Sequence, residues 1–168
     1  MAISLTSPLT IKGLTIKNRL ARSATWEALA SAEGLATAKL QNLLSAVAAG
    51  GVGLIATGMA SVAKSGLGSS TELRADRAEC LPGLTELSAA MKKHGGIATV
   101  QLAHSGASVD KEAPGVDLAA GPSALDWPGP PPMSCRALTL TDTQTLVEEI
   151  ASAAALCAQT GFDPIQLH

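Results

Sequence analysis

Gly95-Gly96-Ile97-Ala98-Thr99-Val100-Gln101-Leu102-Ala103-His104-Ser105-Gly106 is the stretch on which the fold turns. A short apolar run bounded by glycines reads as a buried parallel strand over 97–103. Near its end stand two polar side chains, Gln101 and His104, where the chain enters a long loop. In open α/β sheets and in barrels, ligands bind at the carboxyl ends of the strands. A glutamine deep in an apolar run needs hydrogen-bond partners, because an unpaired buried amide costs roughly 1–3 kcal/mol. Those partners are either a neighbouring loop backbone or a ring carrying imide-like groups.

Working back from this strand, Pro82 suits a first helical position, and Leu84, Leu87 and Met91 line one face of a helix reaching His94. Lys92, Lys93 and His94 fall in its last turn, where positive charge suits the helix dipole, so His94 reads as a surface or capping residue. A polar, Gly- and Ser-rich loop is expected over 60–80, after an apolar strand over 52–57 that ends at Gly58. A helix over 37–49 precedes it, with Leu40, Leu43, Leu44 and Val47 as its stripe and Gly50-Gly51 as its stop. A short strand over 19–23 leads into a loop, Ala24-Thr25-Trp26-Glu27. Residues 1–18 carry alternating segments on either side of Lys12-Gly13, a hairpin signal.

Working forward, residues 105–138 form a long Pro/Gly-rich βα connection; one that long is a functional lid or a disordered segment. Thr141 and Gln144 have the capping-box spacing of N-cap and N3. The helix behind them puts Leu146, Ile150, Ala153 and Cys157 on one face and stops at Gly161. Pro164 opens a strand that runs to His168.

Strands alternating with helices argue for a parallel sheet with right-handed crossovers. The GxGxxG turn of a dinucleotide fold and the phosphate-binding P-loop are both missing. What fits is the N-terminal half of a (β/α)8 TIM barrel, an α/β fold with an N-terminal β-hairpin and four parallel strands. Eight such strands take about 250 residues, and the 168 residues here read as a single partial domain.

Bulk properties narrow the partners. Hydrophobic residues make up 46% and charged residues 15%, with a net charge of −2, so no electrostatic footprint for nucleic acid or an anionic membrane is visible. No apolar run approaches the roughly 18 residues of a membrane helix, and no signal-peptide pattern is seen. Cys80, Cys135 and Cys157 are odd in number and widely spaced, so neither a metal site nor a disulfide framework is expected, and the expected location is a reducing cytoplasm. Tyrosine, a common proton donor, is absent.

Several pieces match a known family in order and spacing. They are Leu14-Thr15-Ile16-Lys17-Asn18-Arg19, Arg22-Ser23-Ala24-Thr25, Ala56-Thr57-Gly58-Met59, Val100-Gln101-Leu102-Ala103-His104-Ser105-Gly106, Gly121-Pro122-Ser123-Ala124, Leu138-Thr139, Ala158-Gln159-Thr160-Gly161-Phe162-Asp163 and Gln166-Leu167-His168. Through them the chain resembles the old yellow enzyme family of FMN-dependent NAD(P)H:flavin oxidoreductases, or ene-reductases. The resemblance implies FMN as cofactor and NAD(P)H as reductant. Hydride would pass to the C=C bond of an α,β-unsaturated carbonyl substrate.

The same resemblance implies roles residue by residue. Ser23, Ala24, Thr25 and Trp26 lie along the flavin ring, Gly58 lets the second strand's end approach it, and Gln101 bonds its pyrimidine edge. His168 is the first of a pair holding the substrate carbonyl oxygen, or else a frayed terminal residue. Two departures stand out. Ala107 replaces the arginine of a His-x-Gly-Arg run, so His104 reads either as its counterpart or as a loop contact. Trp26 stands where Thr, Cys or Tyr is common; an indole N–H donates but does not accept. Trp127 either covers the substrate side or is apolar padding.

The family would continue past His168 with the pair's second member, the proton-donating tyrosine and four further strands. The phosphate site of such barrels comes from the loops after strands seven and eight. A half barrel leaves two sheet edges unpaired, so a homo-oligomer or a second half-barrel chain is an expected partner. The alternatives to an enzyme are a catalytically inactive truncated paralogue serving as an interaction module, and an unrelated half-barrel that binds another phosphate ester.

Overall fold

The computed structural model describes residues 3–112, 119–130 and 132–168. Lys12 and Gly13 both take left-handed backbone, with φ of 47° and 82°, as a two-residue hairpin turn demands. Around them β1 (Leu9–Ile11) and β2 (Leu14–Ile16) pair antiparallel, with Leu9 opposite Ile16. The expected hairpin is present.

The main sheet is built from β3 (Ala21–Arg22), β4 (Leu54–Ser61), β6 (Ile97–Ala103) and β10 (Ile165–Leu167), all parallel. Their spatial order is β10-β6-β4-β3, so each lies beside its predecessor in this series. The crossovers run through α1 (Ala38–Ala49), α2 (Leu81–Lys92) and α3 (Leu140–Gln159). A short strand, β5 (Leu73–Arg74), adds to the far end of β4.

One face of this sheet carries Ile55, Ala98, Val100 and Leu102, packed under the helices. Leu40, Leu44 and Ala48 of α1, Leu84, Leu87 and Met91 of α2, and Ala153 and Cys157 of α3 complete that core. The α1 stripe is rotated from the expected one. Leu43 is 40% exposed while Ala48 is fully buried, because the helix presents its 40-44-48 ridge rather than its 40-43-47 edge. Thr37 caps α1 through its side-chain oxygen, and Gly50 closes it with its N–H on the Ala46 carbonyl at 3.1 Å.

Three expectations need correction. The strand expected over 52–57 starts later and runs on through Gly58 to Ser61. Apolarity fades there, but β5 pairs with Ala60 and Ser61, and β6 reaches Ala103 opposite Ser61, so the ladder continues. The loop expected over 60–80 is no open polar segment either: Val62, Ala63, Leu67, Leu73, Ala75 and Cys80 are buried. The capping box of α3 is displaced by two residues. Thr139 is the N-cap and Asp142 is N3, with Thr139 N–H donating to Asp142 at 2.8 Å and Asp142 N–H donating to Thr139 Oγ1 at 3.1 Å. Only this register puts a cation beside the N3 side chain. Arg136 donates to Asp142 at 2.6 Å and, with the Thr139 bonds, holds its carboxyl well below the usual carboxylate range.

The connection over 105–138 carries structure of its own. β7 (Ala120–Gly121), β8 (Leu125–Trp127) and β9 (Met133–Ala137) form a separate sheet in the order β7-β9-β8. Residues 113–118 and 131 of this expected lid lie outside the described residues.

Candidate functional site

The carboxyl ends of β3, β4, β6 and β10 meet at one edge of the parallel sheet, and the expected site residues distribute over all four. After β3 come Ser23, Thr25 and Trp26, exposed, with Ala24 half-buried. A Cβ on Gly58 would stand 2.6 Å from the Thr25 carbonyl oxygen and 3.2 Å from the Trp26 Cα. Only glycine lets the backbone after β3 lie so close to β4. What approaches Gly58 is therefore the 23–26 segment itself.

Gly58 also sits in a register break. Ala56 pairs with Thr99, then Met59 with Gln101, so Thr57 and Gly58 together oppose a single residue of β6. The bulge would orphan a ladder group, and Thr57 repairs it. Its buried hydroxyl donates to the Gly58 carbonyl at 2.7 Å and accepts the Gln101 N–H at 3.2 Å. In the sequence Thr57 stands out only within the Ala56-Thr57-Gly58-Met59 motif; its role depends on a pairing between strands and has no local signature.

Gln101 is 6% exposed. Strand alternation puts it with Thr99 on the face opposite the helix-packed Ala98, Val100 and Leu102. In register it stands between Met59 of β4 and Gln166 of β10. Among the described residues its side-chain amide makes no hydrogen bond and is not among the fully enclosed polar atoms, whereas Thr99 Oγ1 on the same face is buried without a partner. Among the described residues no loop backbone, one of the two kinds of partner expected from the sequence, bonds the amide. An amide at a strand end that no described residue bonds fits a planar ring with alternating N–H and C=O groups.

His168 follows β10, its N–H donating to the Leu102 carbonyl at 3.0 Å. This bond ties it to the end of β6, and alternation puts it on the Gln101 face, where it is exposed. His104 belongs elsewhere. Its Nδ1 accepts the Gly106 N–H at 3.1 Å, which leaves the ring proton on Nε2. Its ring covers Gly66, with Cγ 2.7 Å from where a Cβ would be, and burial pushes its pKa down. It is a neutral loop contact. His94 is exposed. Trp127 lies on β8 and is 54% exposed.

Two charged features are buried or half-buried nearby in the chain. Arg22 forms an ion pair with Glu27 and donates from its other guanidinium nitrogen to the Ala56 carbonyl at 2.7 Å. Glu72 is fully buried behind the 62–72 loop. One carboxylate oxygen accepts the Gly68 N–H at 2.8 Å and the other has no partner among the described residues; burial pushes the carboxyl up to about 6. A cleft of about 590 Å³ between α3 and the 62–65 loop, which follows β4, is lined by Lys64, Asp76, Glu148 and Glu149. No metal-binding group of His, Cys, Asp and Glu occurs among the described residues, and the three thiols are free and buried. Among the described residues no helix is long and apolar enough to cross a membrane.

Comparison with known proteins agrees with this geometry. The model of the NADH:flavin oxidoreductase / NADH oxidase family matches residues 4–168. The NADPH dehydrogenase of Geobacillus sp. (strain WCH70) is 32% identical over 172 aligned residues, covering 100% of this chain and 48% of that enzyme. The structure of the old yellow enzyme homologue from Zymomonas mobilis superposes with a TM-score of 0.89 at 24% identity, over 98% of this chain and 48% of that one. Morphinone reductase in complex with tetrahydroNAD gives 0.90 at 21% identity, over 99% and 49%. At those identities the two structures establish the fold alone. The chain spans about half the length of these relatives.

Proposed function

Because the chain belongs to the NADH:flavin oxidoreductase / NADH oxidase family, we propose that it carries the ring-facing half of an FMN site. The enzyme so formed is an NAD(P)H-dependent reductase of the C=C bond in α,β-unsaturated carbonyl compounds. The observation that carries this reading is Gln101, 6% exposed, with an amide that no described residue bonds, on the strand next to Gly58 and the 23–26 segment.

Gln101 holds the pyrimidine edge of the ring, donating to a carbonyl and accepting from an imide N–H. The 23–26 segment lies along the ring, with the Trp26 indole N–H as a donor, and Gly58 sets the distance between the two. Bound FMN supplies the hydride chemistry between NAD(P)H and the alkene. His168 donates to the substrate carbonyl oxygen, where negative charge builds as hydride reaches the β-carbon. Residues 1–168 contain no tyrosine, so the proton for the α-carbon is not supplied by a tyrosine of this segment.

The four parallel strands are the N-terminal half of an eight-stranded barrel, and β3 and β10 are the edges on which the rest joins. That other half supplies the phosphate site, as a continuation of the chain, a second copy or a separate subunit. A reducing cytoplasm suits the three free thiols.

The test is the mass in solution and the visible spectrum with and without added FMN, for the chain alone and with the C-terminal half of a relative. A bound-flavin spectrum followed by NAD(P)H-dependent enone reduction is expected. A colourless protein in both settings overturns the assignment and favours a non-catalytic interaction module.

A further inference from the structure

We propose that Arg22 and Glu27 are positioning residues that clasp the 23–26 segment into one fixed turn, setting the surface it presents to the flavin ring. The inference rests on the FMN reading for its consequence, but the clasp itself is a property of the chain.

The ion pair joins the residues immediately before and after the segment. Their side chains are 18% and 10% exposed, so the attraction is screened far less than that of a surface pair. Arg22 uses its two terminal nitrogens separately, one on the Ala56 carbonyl at 2.7 Å and one on Glu27. Ala56 is the last β4 residue paired with β6 before the register break. One guanidinium thus ties together the end of β3, the entrance of the bulge and the far end of the loop. Glu27 is seated as well, its Oε2 lying 3.0 Å from where a Gly58 Cβ would be.

Little else fixes the segment. Within it the single side-chain hydrogen bond among the described residues is Thr25 Oγ1 donating to the Ser23 carbonyl at 3.3 Å. Beyond the pair, Ala28 takes left-handed backbone with φ of 54°, a conformation an alanine adopts only when its surroundings hold it. An anchored Glu27 supplies that hold. A guanidinium suits the task because its planar fork reaches two acceptors at once, which an ammonium point charge does not.

The test uses the full chain with Trp127→Phe, leaving Trp26 as the sole tryptophan and a reporter inside the clasp. Glu27→Gln and Arg22→Lys are each added, and acrylamide quenching of Trp26, FMN affinity and the melting temperature are measured. Both variants are expected to raise the quenching constant about twofold and weaken FMN binding about tenfold, with quenching read well below the melting temperature. Arg22→Lys is expected to fail as a rescue although it keeps the charge. Unchanged quenching in both variants overturns the clasp, whatever the flavin result. Raised quenching in a chain that binds no FMN, either alone or with the C-terminal half of a relative, upholds the clasp and overturns the FMN reading. Should Arg22→Lys not fold, Glu27→Gln, which keeps the side-chain shape, decides the outcome.

Discussion

The hydroxyl of Thr57 accepts the backbone N–H of Gln101 at 3.2 Å, standing in for a ladder carbonyl that the bulge in β4 has moved away. The residue whose amide faces the site is therefore held in place by a side chain on the neighbouring strand. Thr57→Val keeps the shape and removes the hydroxyl. It orphans the Gln101 N–H and deprives the Gly58 carbonyl of its 2.7 Å donor, so a loss of about 2–6 kcal/mol is expected at roughly 1–3 kcal/mol per stranded group. Thr57→Ser keeps both bonds and is expected to lose only about 1 kcal/mol for the missing methyl. Urea unfolding of the two variants side by side checks this, and equal losses would rule the hydroxyl out.

Gly58→Ala tests the close approach of the segment after β3. The added methyl meets a backbone carbonyl, Thr25 O at 2.6 Å, which has no rotamer to escape into. Either β4 or the loop must shift, at about 1–3 kcal/mol. A shifted Trp26 emission maximum together with a lower melting temperature is the expected result; a variant as stable as the parent with unaltered emission contradicts it.

Ala28→Gly is expected to stabilise. Left-handed backbone costs a non-glycine residue about 1–2 kcal/mol, and the extra freedom of glycine in the unfolded chain returns about 0.4–1 kcal/mol of that. The net gain of about 0.5–1 kcal/mol corresponds to a rise of about 1–4 °C in melting temperature for a chain of this size. Differential scanning fluorimetry reads it directly, and a lower melting temperature would refute the strain at φ 54°.

Glu72 gives the fold a pH dependence of determinate sign. Burial raises its carboxyl from 4.5 to about 6, so between those values the folded chain holds the proton more tightly than the unfolded one. Stability contributed by the protonated form is complete below pH 4.5, falls as pH rises towards 6, and levels off above it, by about 2 kcal/mol in all. Glu72→Gln keeps an oxygen for the Gly68 N–H and is expected to remove that slope. Denaturation midpoints from pH 4 to 8 for parent and variant make the comparison, and a slope that persists in the variant assigns it to another group.

Much of the architecture is legible in the sequence because it is written in local chemistry. Lys12-Gly13 specifies its turn through the backbone it permits, and β6 coincides with its apolar run. The helices around 37–49, 82–94 and up to Gly161 are present where a period of 3.6 and a glycine stop indicate them, each with its apolar face in the core. The burial of Gln101 is equally legible, because a polar residue inside a β-rich run has nowhere else to go.

Tertiary structure decided what depends on a partner distant in the chain. β4 runs to Ser61 because β5 and β6 pair with it there. The α3 cap falls at Thr139 because Arg136 lies beside Asp142, although Thr141 and Gln144 offer the same spacing. The bulge at Thr57 and Gly58, and the reach of Arg22 to both Ala56 and Glu27, exist only once β3, β4 and β6 lie side by side. Sequence determines where the chain turns and which face it buries, because those choices are made within a few residues. Which backbone group meets which side chain at the strand ends is a matter of register, and register is set between strands.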